Sequence, residues 1–310
     1  MINHLRQITG LSLMEQLKAE LSVILGESIT RLERISEQPY AHLYAMYNRQ
    51  DQAMPLLAKS YVCQGIAQQE AYKLSMLARE GDIRLPTVYG LVMIHQSPYK
   101  EILLIERLRG VSVEAPTRTG DRWNALMDQI VEGILSWHRI DSHGCVGHVE
   151  STQENNWYCW YQQRVDVLWA ALSNMNAPLM TQADRAVLYR AKASLALLFA
   201  DFDDSSVLVH GNLTLRSMLK DVRSDQLLAM LNPGPMLWAP REYDLFRLSE
   251  EGMPSQLLYR YLNKAPVSEA FVARRWLYML WDLVARFIHT GSLDRPLFDN
   301  AARQLLPWLD

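Results

Sequence analysis

A change of hydrophobic period near residue 109 divides this 310-residue chain into a part written mostly in short alternating runs and a part written mostly in helical stripes. From Ile29 to Tyr61, three short apolar runs are punctuated by Pro39, Asn48 and Asp51, the pattern of a three-stranded antiparallel meander. A helix over Glu15–Leu25, with Leu17, Leu21, Ile24 and Leu25 at helical spacing and Gly26 as its stop, precedes it. Ala67, Ala71, Leu74, Leu77 and Ala78 then share one face of a helix closed by Gly81, and PTVYGLVMI and EILLIERL add two more strands. Beyond Gly110, the residues Trp123, Leu126, Met127, Ile130, Ile134, Leu135 and His138 line one face of a helix over 121–139. Further helices are predicted over 157–173, 182–199, 255–262, 268–289 and 297–308, interrupted by a hairpin-like region of VLVHGNL, SMLKD and LLAML. The expected class is α+β in two lobes. Residues 1–13 form an extension, 14–109 a small antiparallel β-rich lobe with one inserted helix, and 110–310 a larger, mainly helical lobe. That order of elements predicts ligand binding between the lobes.

Composition narrows the function classes. A hydrophobic fraction of 49% against 21% charged residues is that of a folding chain, and a net charge of -3 gives no footprint for nucleic acid or an anionic membrane surface. Cys63, Cys145 and Cys159 are widely spaced and odd in number, which fits reduced thiols in a cytoplasmic protein. No run approaches the 18 or so apolar residues of a membrane helix, and the N-terminus lacks a signal-peptide pattern. Neither nucleic acid nor a membrane is therefore expected as a partner.

Two charged residues fall on apolar faces. Lys59 shares the face of its strand with Leu57 and Tyr61, and Glu70 lies in the apolar stripe of the next helix, where a lone charge is expensive. An ion pair between them is predicted; the plainer alternative is a lysine reaching to solvent beside a half-exposed glutamate.

The runs VLVHGNLTLRSMLKD (207–221) and LLAMLNPGPMLWAPREYDLF (227–246) carry a resemblance. They are similar to the catalytic strand-loop-strand of the aminoglycoside phosphotransferase and fructosamine kinase families, relatives of the protein kinases, and within these to an uncharacterised enterobacterial member. His210 and Gly211 match the start of the His-Gly-Asp loop, and Arg241, Glu242, Tyr243, Asp244 and Leu245 match the Arg-Glu-Tyr-Asp-Leu signature. The resemblance implies a two-lobed protein kinase-like fold with ATP and Mg²⁺ as cofactors. It implies Lys59 and Glu70 as a phosphate-positioning pair, and a hinge over 102–110 in which Glu106 and Leu108 hold the nucleotide. It also implies His210 as the brace of the catalytic loop and Asp244 as a structural residue, expected to cap a helix.

The departures fall where the chemistry is done. Asn212 stands at the catalytic Asp position, Ser217 at the metal-binding Asn and Asn232 at the second metal-binding Asp. A carboxamide cannot accept the acceptor hydroxyl's proton, a loss of roughly 100- to 10,000-fold in rate. Removing the acid at 232 weakens a Mg²⁺ site. The β-hairpin connection SEQPYAH (36–42) contains no glycine for a phosphate cradle. The reading is a pseudokinase serving as a ligand-binding or regulatory module, with ATP and Mg²⁺ bound weakly or not at all and the small-molecule or protein partner unknown. Its rival is an active ATP-dependent small-molecule phosphotransferase with an atypical metal site, and a pure scaffold stands third.

Other candidates carry plainer expectations. Asp221 is read as a solvated turn acid rather than a recruited base. His138, His143, Cys145 and His148 lie within eleven positions, but an ordinary polar loop is preferred to a zinc site. Trp276 and Trp281, with Arg274, Arg275 and Arg286, are read as core packing with charged flanks.

Overall fold

The computed structural model describes residues 12–38, 40–94, 98–149, 156–234, 237–250 and 252–309. Most of the proposed N-terminal extension (1–11) and Pro39 of the glycine-free connection lie outside these. The chain separates into two compact units, one made of the described residues up to Arg79 together with Leu85–Arg109, the other of Glu80–Arg84 and the residues from Gly110 onward.

In the first unit, α1 (Leu13–Leu25) begins inside the expected extension, because the Ser12 hydroxyl accepts the Glu15 N–H at 3.3 Å and fixes the first turn. Gly26, at φ +63°, ends it. Strands β1 (Arg31–Gln38), β2 (Ala41–Tyr47) and β3 (Ala53–Tyr61) form the meander, followed by α2 (Ile66–Glu80), β4 (Val88–Met93) and β5 (Glu101–Glu106). All pairings are antiparallel, in the order β1-β2-β3-β5-β4. Leu17 and Leu21 of α1 are fully buried in a core with Tyr44, Met46, Ala58, Ile102 and Leu104. Ala58 and Lys59 point to opposite faces of β3, so Lys59 faces away from this core, toward α2.

Residues 80–84 depart from the sequence reading, which put all of 14–109 in one lobe. In the second unit they pack on α3 (Gly120–His138): the Asp82 N–H donates to Ser136 Oγ at 3.0 Å, and Gly133 leaves room for Ile83 where a Cβ would collide. Gly81 makes the same kind of close approach to Trp137. Here the helix-ending glycine is also a packing requirement.

The second unit continues with β6 (Val111–Ser112), α3, β7 (Gly147–His148), α4 (Trp157–Asn174), α5 (Gln182–Ala193), α6 (Leu195–Leu198), β8 (Ser206–Val209), β9 (Met218–Lys220), β10 (Leu227–Met230), β11 (Leu237–Pro240), α7 (Glu242–Leu245), α8 (Ser255–Lys264), α9 (Phe271–Thr290) and α10 (Arg295–Leu305). Where one helix was expected over 182–199 there are two, divided at Ser194. The hairpin-like region divides as well. β9 and β10 form the hairpin, with β6 beside β9, whereas β8 belongs to a separate sheet, β7-β11-β8. The loop between β8 and β9 therefore bridges two small sheets, and residues 231–234 leave β10 on the way to β11.

The core of this unit is α9, buried on nearly every face and packed against α4 and α10. Arg274 of α9 is 1% exposed and is matched by Glu242, also 1% exposed, through Nε–Oε1 at 2.8 Å, with Tyr278 donating to the same carboxylate at 2.6 Å. Burial pushes the Glu242 carboxyl up, against Arg274, which favours its charged form. Trp276 and Trp281 are buried as well, in keeping with core packing.

Candidate functional site

Two polar groups, one in each unit, contain most of the residues singled out from the sequence; Glu106, Leu108 and Asp221 lie apart from them. In the first unit, Lys59 Nζ donates to both carboxylate oxygens of Glu70, at 2.7 and 2.8 Å, and the Tyr61 hydroxyl donates to Glu70 Oε2 at 2.6 Å. Alternation along β3 puts Lys59 and Tyr61 on one face, and the helical stripe of α2 presents Glu70 to them. Lys59 is only 8% exposed and keeps one N–H beyond the two given to Glu70. Burial and then Glu70 hold the Tyr61 phenol well above the usual tyrosine range, so it remains a donor.

Glu101, which the sequence reading passed over as an ordinary strand residue, fixes α2 in place. It is 2% exposed and accepts the N–H groups of Gly65 at 2.6 Å and Ala67 at 2.8 Å, giving the helix its N-terminal acceptor from a different strand. At the end of β5, Glu106 accepts from the Thr87 hydroxyl at 3.2 Å. The Arg107 N–H donates to Pro55 O at 2.8 Å, and no main-chain hydrogen bond of Leu108 is found among the described residues. Gln38 pairs with Ala41, so only two residues join β1 to β2.

In the second unit, everything converges on Asp244. It is fully buried and accepts the N–H of His210 at 2.7 Å, the N–H of Gly211 at 2.7 Å and His138 Nε2 at 3.2 Å. The expected helix cap is corrected here: α7 begins at Glu242 with no side-chain cap, and Asp244 instead holds the backbone of the loop after β8. Burial pushes its carboxyl up, but His138 and the donated N–H groups win and hold it below the usual range. His138 completes the brace, bonded to the Tyr261 hydroxyl at 2.7 Å as well. Its bonds thus run to Asp244 and Tyr261; no cluster of three or more His, Cys, Asp or Glu residues suited to a metal is found among the described residues.

His210 is fully buried, stacked on Trp137 at 5.4 Å between ring centroids, and its Nδ1 accepts the Asn212 N–H at 3.3 Å. Burial lowers its pKa to about 4, against the opposing pull of Asp244, so the ring is neutral at physiological pH. The bond from the Asn212 N–H lies within the loop that follows β8.

Asn212, Ser217 and Asn232 meet in one place, bonded to one another's loops. Asn212 Nδ2 donates to the main-chain oxygen of Asn232 at 2.9 Å, a bond a carboxylate cannot make. Ser217, 3% exposed, donates to Thr214 O at 2.7 Å, lies 3.1 Å from Asn212 O and accepts the Thr214 N–H at 3.1 Å. Asn232 adopts φ +52°, a left-handed conformation that asparagine tolerates. Two residues on, the Gly234 N–H donates to His210 O at 3.0 Å, and a Cβ at Gly234 would strike the backbone of Gly211. Asp221 is engaged in its own turn, accepting from Arg223 N, Ser224 N and Ser224 Oγ, which holds its carboxyl below the usual range.

This donor set does not suit Mg²⁺. The three positions supply no carboxylate, and the Ser217 hydroxyl is turned onto its own loop, whereas the ion prefers charged, hard oxygens in octahedral array. The nucleotide side fits better: Lys59 has a remaining N–H for a phosphate oxygen, and Leu108 has main-chain groups for a base.

A sheet of order β1-β2-β3-β5-β4 with a Lys–Glu pair to its helix, and a helical unit whose strand-loop-strand is gripped by a buried aspartate, define the protein kinase-like fold. The chain belongs to the fructosamine kinase family, whose model matches residues 14–293. It is 54% identical over 296 residues to the uncharacterised protein YcbJ of Escherichia coli K12, covering 96% of this chain and all of that one, and equally to YcbJ of Shigella flexneri. Among solved structures it is similar to a fructosamine-3-kinase candidate from Haemophilus somnus 129PT, with a TM-score of 0.71, 19% identity and coverage of 95% of this chain and 100% of the other. A thermostable mutant of the aminoglycoside phosphotransferase APH(4)-Ia, in its apo form, gives a TM-score of 0.71 at 14% identity, covering 94% and 97%, and a further variant of it has been solved with ADP and hygromycin B. At these identities the likeness is one of fold.

Proposed function

We propose that this member of the fructosamine kinase family is a pseudokinase, retaining the kinase-like fold as a ligand-binding or regulatory module with ATP and Mg²⁺ held weakly or not at all. The observation that carries the reading is the bond from Asn212 Nδ2 to Asn232 O, which turns the residue at the catalytic-base position into a donor tied to the neighbouring loop. A group in that state takes no proton from an acceptor hydroxyl, and the rate forfeited, roughly 100- to 10,000-fold, corresponds to about 3–5 kcal/mol of barrier. The inward Ser217 and the bound Asp221 remove the nearest substitutes.

The second reading, a live small-molecule phosphotransferase with an atypical metal site, is favoured by one observation, the intact Lys59–Glu70–Tyr61 group with its remaining donor. When bound, ATP would supply the transferable phosphoryl group; Lys59 would orient its phosphates, and Leu108 would meet its base. Thermal shift separates the two. A pseudokinase is stabilised by Mg²⁺-ATP no more than by ATP with chelator, whereas stabilisation by several degrees that requires Mg²⁺ would support the enzyme. The partner is proposed to be a small molecule or a protein, in the cytoplasm. No described helix is long and apolar enough to cross a membrane, and the three cysteines are free thiols.

A further inference from the structure

The turn between β9 and β10 is tied down from within. Asp225 sits in it at φ +60°, buried, and accepts the Arg118 N–H at 3.3 Å and Arg122 Nη1 at 3.4 Å. Lys220, also buried, lies 3.4 Å from the same carboxylate and donates to Ala115 O, Pro116 O and Thr117 Oγ1.

Between this turn and α3 lies a cavity of about 310 Å³, at the small end of the range for small-molecule sites. Arg122, Ala125, Leu126 and Gln129 line it from α3, at the i, i+3, i+4, i+7 spacing of one helix face, and the turn closes it with Ser224, Asp225 and Gln226. The cavity stands at the turn end of the β9–β10 hairpin. Ser217 and Asn232 stand at the other end, beside the Met218–Met230 pair, so this is not the site described above.

Acceptors and donors around the cavity are unequally engaged. Asp225 is taken up as described, and Asp221 accepts from Arg223 N, Ser224 N and Ser224 Oγ. Asp128, on the neighbouring ridge of α3, accepts from Arg260 Nη1 at 2.6 Å. The donors are left over. Gln129 Oε1 accepts the Leu227 N–H at 2.8 Å, which fixes its amide, and its NH₂ meets no acceptor among the described residues. Arg122 spends Nη1 on Asp225 and on Arg223 O, and its Nε and Nη2 likewise meet none.

A guanidinium edge and an amide NH₂ above Ala125 and Leu126 call for a planar anionic acceptor joined to a small apolar body. We propose that this cavity is a binding site for a small organic carboxylate. The proposal goes beyond the pseudokinase reading, since neither ATP nor the Asn212 loop takes part in it.

Saturation-transfer NMR on the full chain tests it, with sodium benzoate as the probe and benzamide as its neutral counterpart. Benzoate should bind and benzamide should not. Arg122→Met should weaken benzoate about tenfold or more, the loss of a hydrogen bond to a charged group. Ala125→Trp, which fills the cavity from an exposed position, should abolish binding. If Ala125→Trp lowers the melting temperature, Gln129→Glu serves in its place, because it keeps an acceptor for Leu227 and replaces the free NH₂ by an oxygen. A wild type that binds no benzoate overturns the proposal, as does equal binding of benzamide. Displacement of benzoate by inorganic phosphate as readily as by acetate, at equal ionic strength, overturns the assignment to carboxylates. Binding that survives both Ala125→Trp and Gln129→Glu lies elsewhere and overturns it as well.

Discussion

The polar group around Glu70 and the one around Asn212 solve opposite problems with similar materials. Around Glu70, charge is kept: a carboxylate, an ammonium and a phenol form a compact set that leaves one lysine N–H unengaged. Around Asn212, charge is absent: an amide, a hydroxyl and main-chain oxygens satisfy one another and leave nothing anionic to offer. Only the brace behind that loop, Asp244 with His138, retains an ion in the second unit's site. The contrast teaches that a loop can be held in place by buried groups facing inward whether or not charge is kept at its surface.

The comparison breaks most easily at the brace. Asp244→Ala should cost about 3–5 kcal/mol in urea denaturation, since two loop N–H groups and a buried histidine lose their acceptor together. A loss under 1 kcal/mol would mean that the loop holds its shape without the aspartate, and that the frame is not where we locate it.

Acid should probe the same loop through His210. Its folded pKa of about 4 lies below the ordinary 6.5, so between those values the unfolded chain binds a proton that the folded chain refuses. Stability is therefore full above about pH 6.5 and falls as pH drops toward 4, by up to about 3 kcal/mol. Denaturation at several pH values, wild type against His210→Gln, isolates the effect; identical pH slopes would contradict it.

Glu70→Gln sharpens the other side of the comparison. It leaves Lys59 a neutral acceptor in a mostly buried setting, with an expected cost of about 1–3 kcal/mol. Any ATP affinity the protein has should fall with it, by calorimetry, and an unaltered affinity would remove this group from the nucleotide reading.

The smallest expected stability change comes from the triple variant Asn212→Asp, Ser217→Asn and Asn232→Asp. Losing the 212–232 amide bond and setting two carboxylates near each other should cost about 1 kcal/mol. Mg²⁺-ATP affinity should nevertheless rise, because anionic oxygens return. Equal calorimetric affinities in wild type and variant would sink the claim that metal binding is missing at these positions.

The elements of the first unit were legible because pattern and punctuation agree there: short apolar runs broken by Pro39, Asn48 and Asp51, a stripe in α2, glycine at the ends of α1 and α2. The Lys59–Glu70 pair followed from the same pattern, two charges on apolar faces separated by one turn of chain. What escaped reading depends on partners remote in sequence. Glu101 looks like any strand residue until Gly65 and Ala67 are brought to it, and Asp244 looks like a helix cap until the loop 34 residues earlier folds onto it. His138 was grouped with its sequence neighbours, while its bonds run to Asp244 and Tyr261. The break at Ser194 was hidden because the apolar pattern runs on through it, and β8 was joined to the wrong sheet because its partner β11 lies beyond the next hairpin.

The amide bond across the two loops also sets an order on change. With Asn212 alone turned to aspartate, a carboxylate oxygen faces the Asn232 carbonyl at hydrogen-bond range, two acceptors with no proton between them. Without a metal between them, that single step toward a charged site runs uphill. Position 212 is thus held as asparagine by its neighbour's main chain, whatever side chain stands at 232, and substitutions in this loop should be read in combination rather than one at a time.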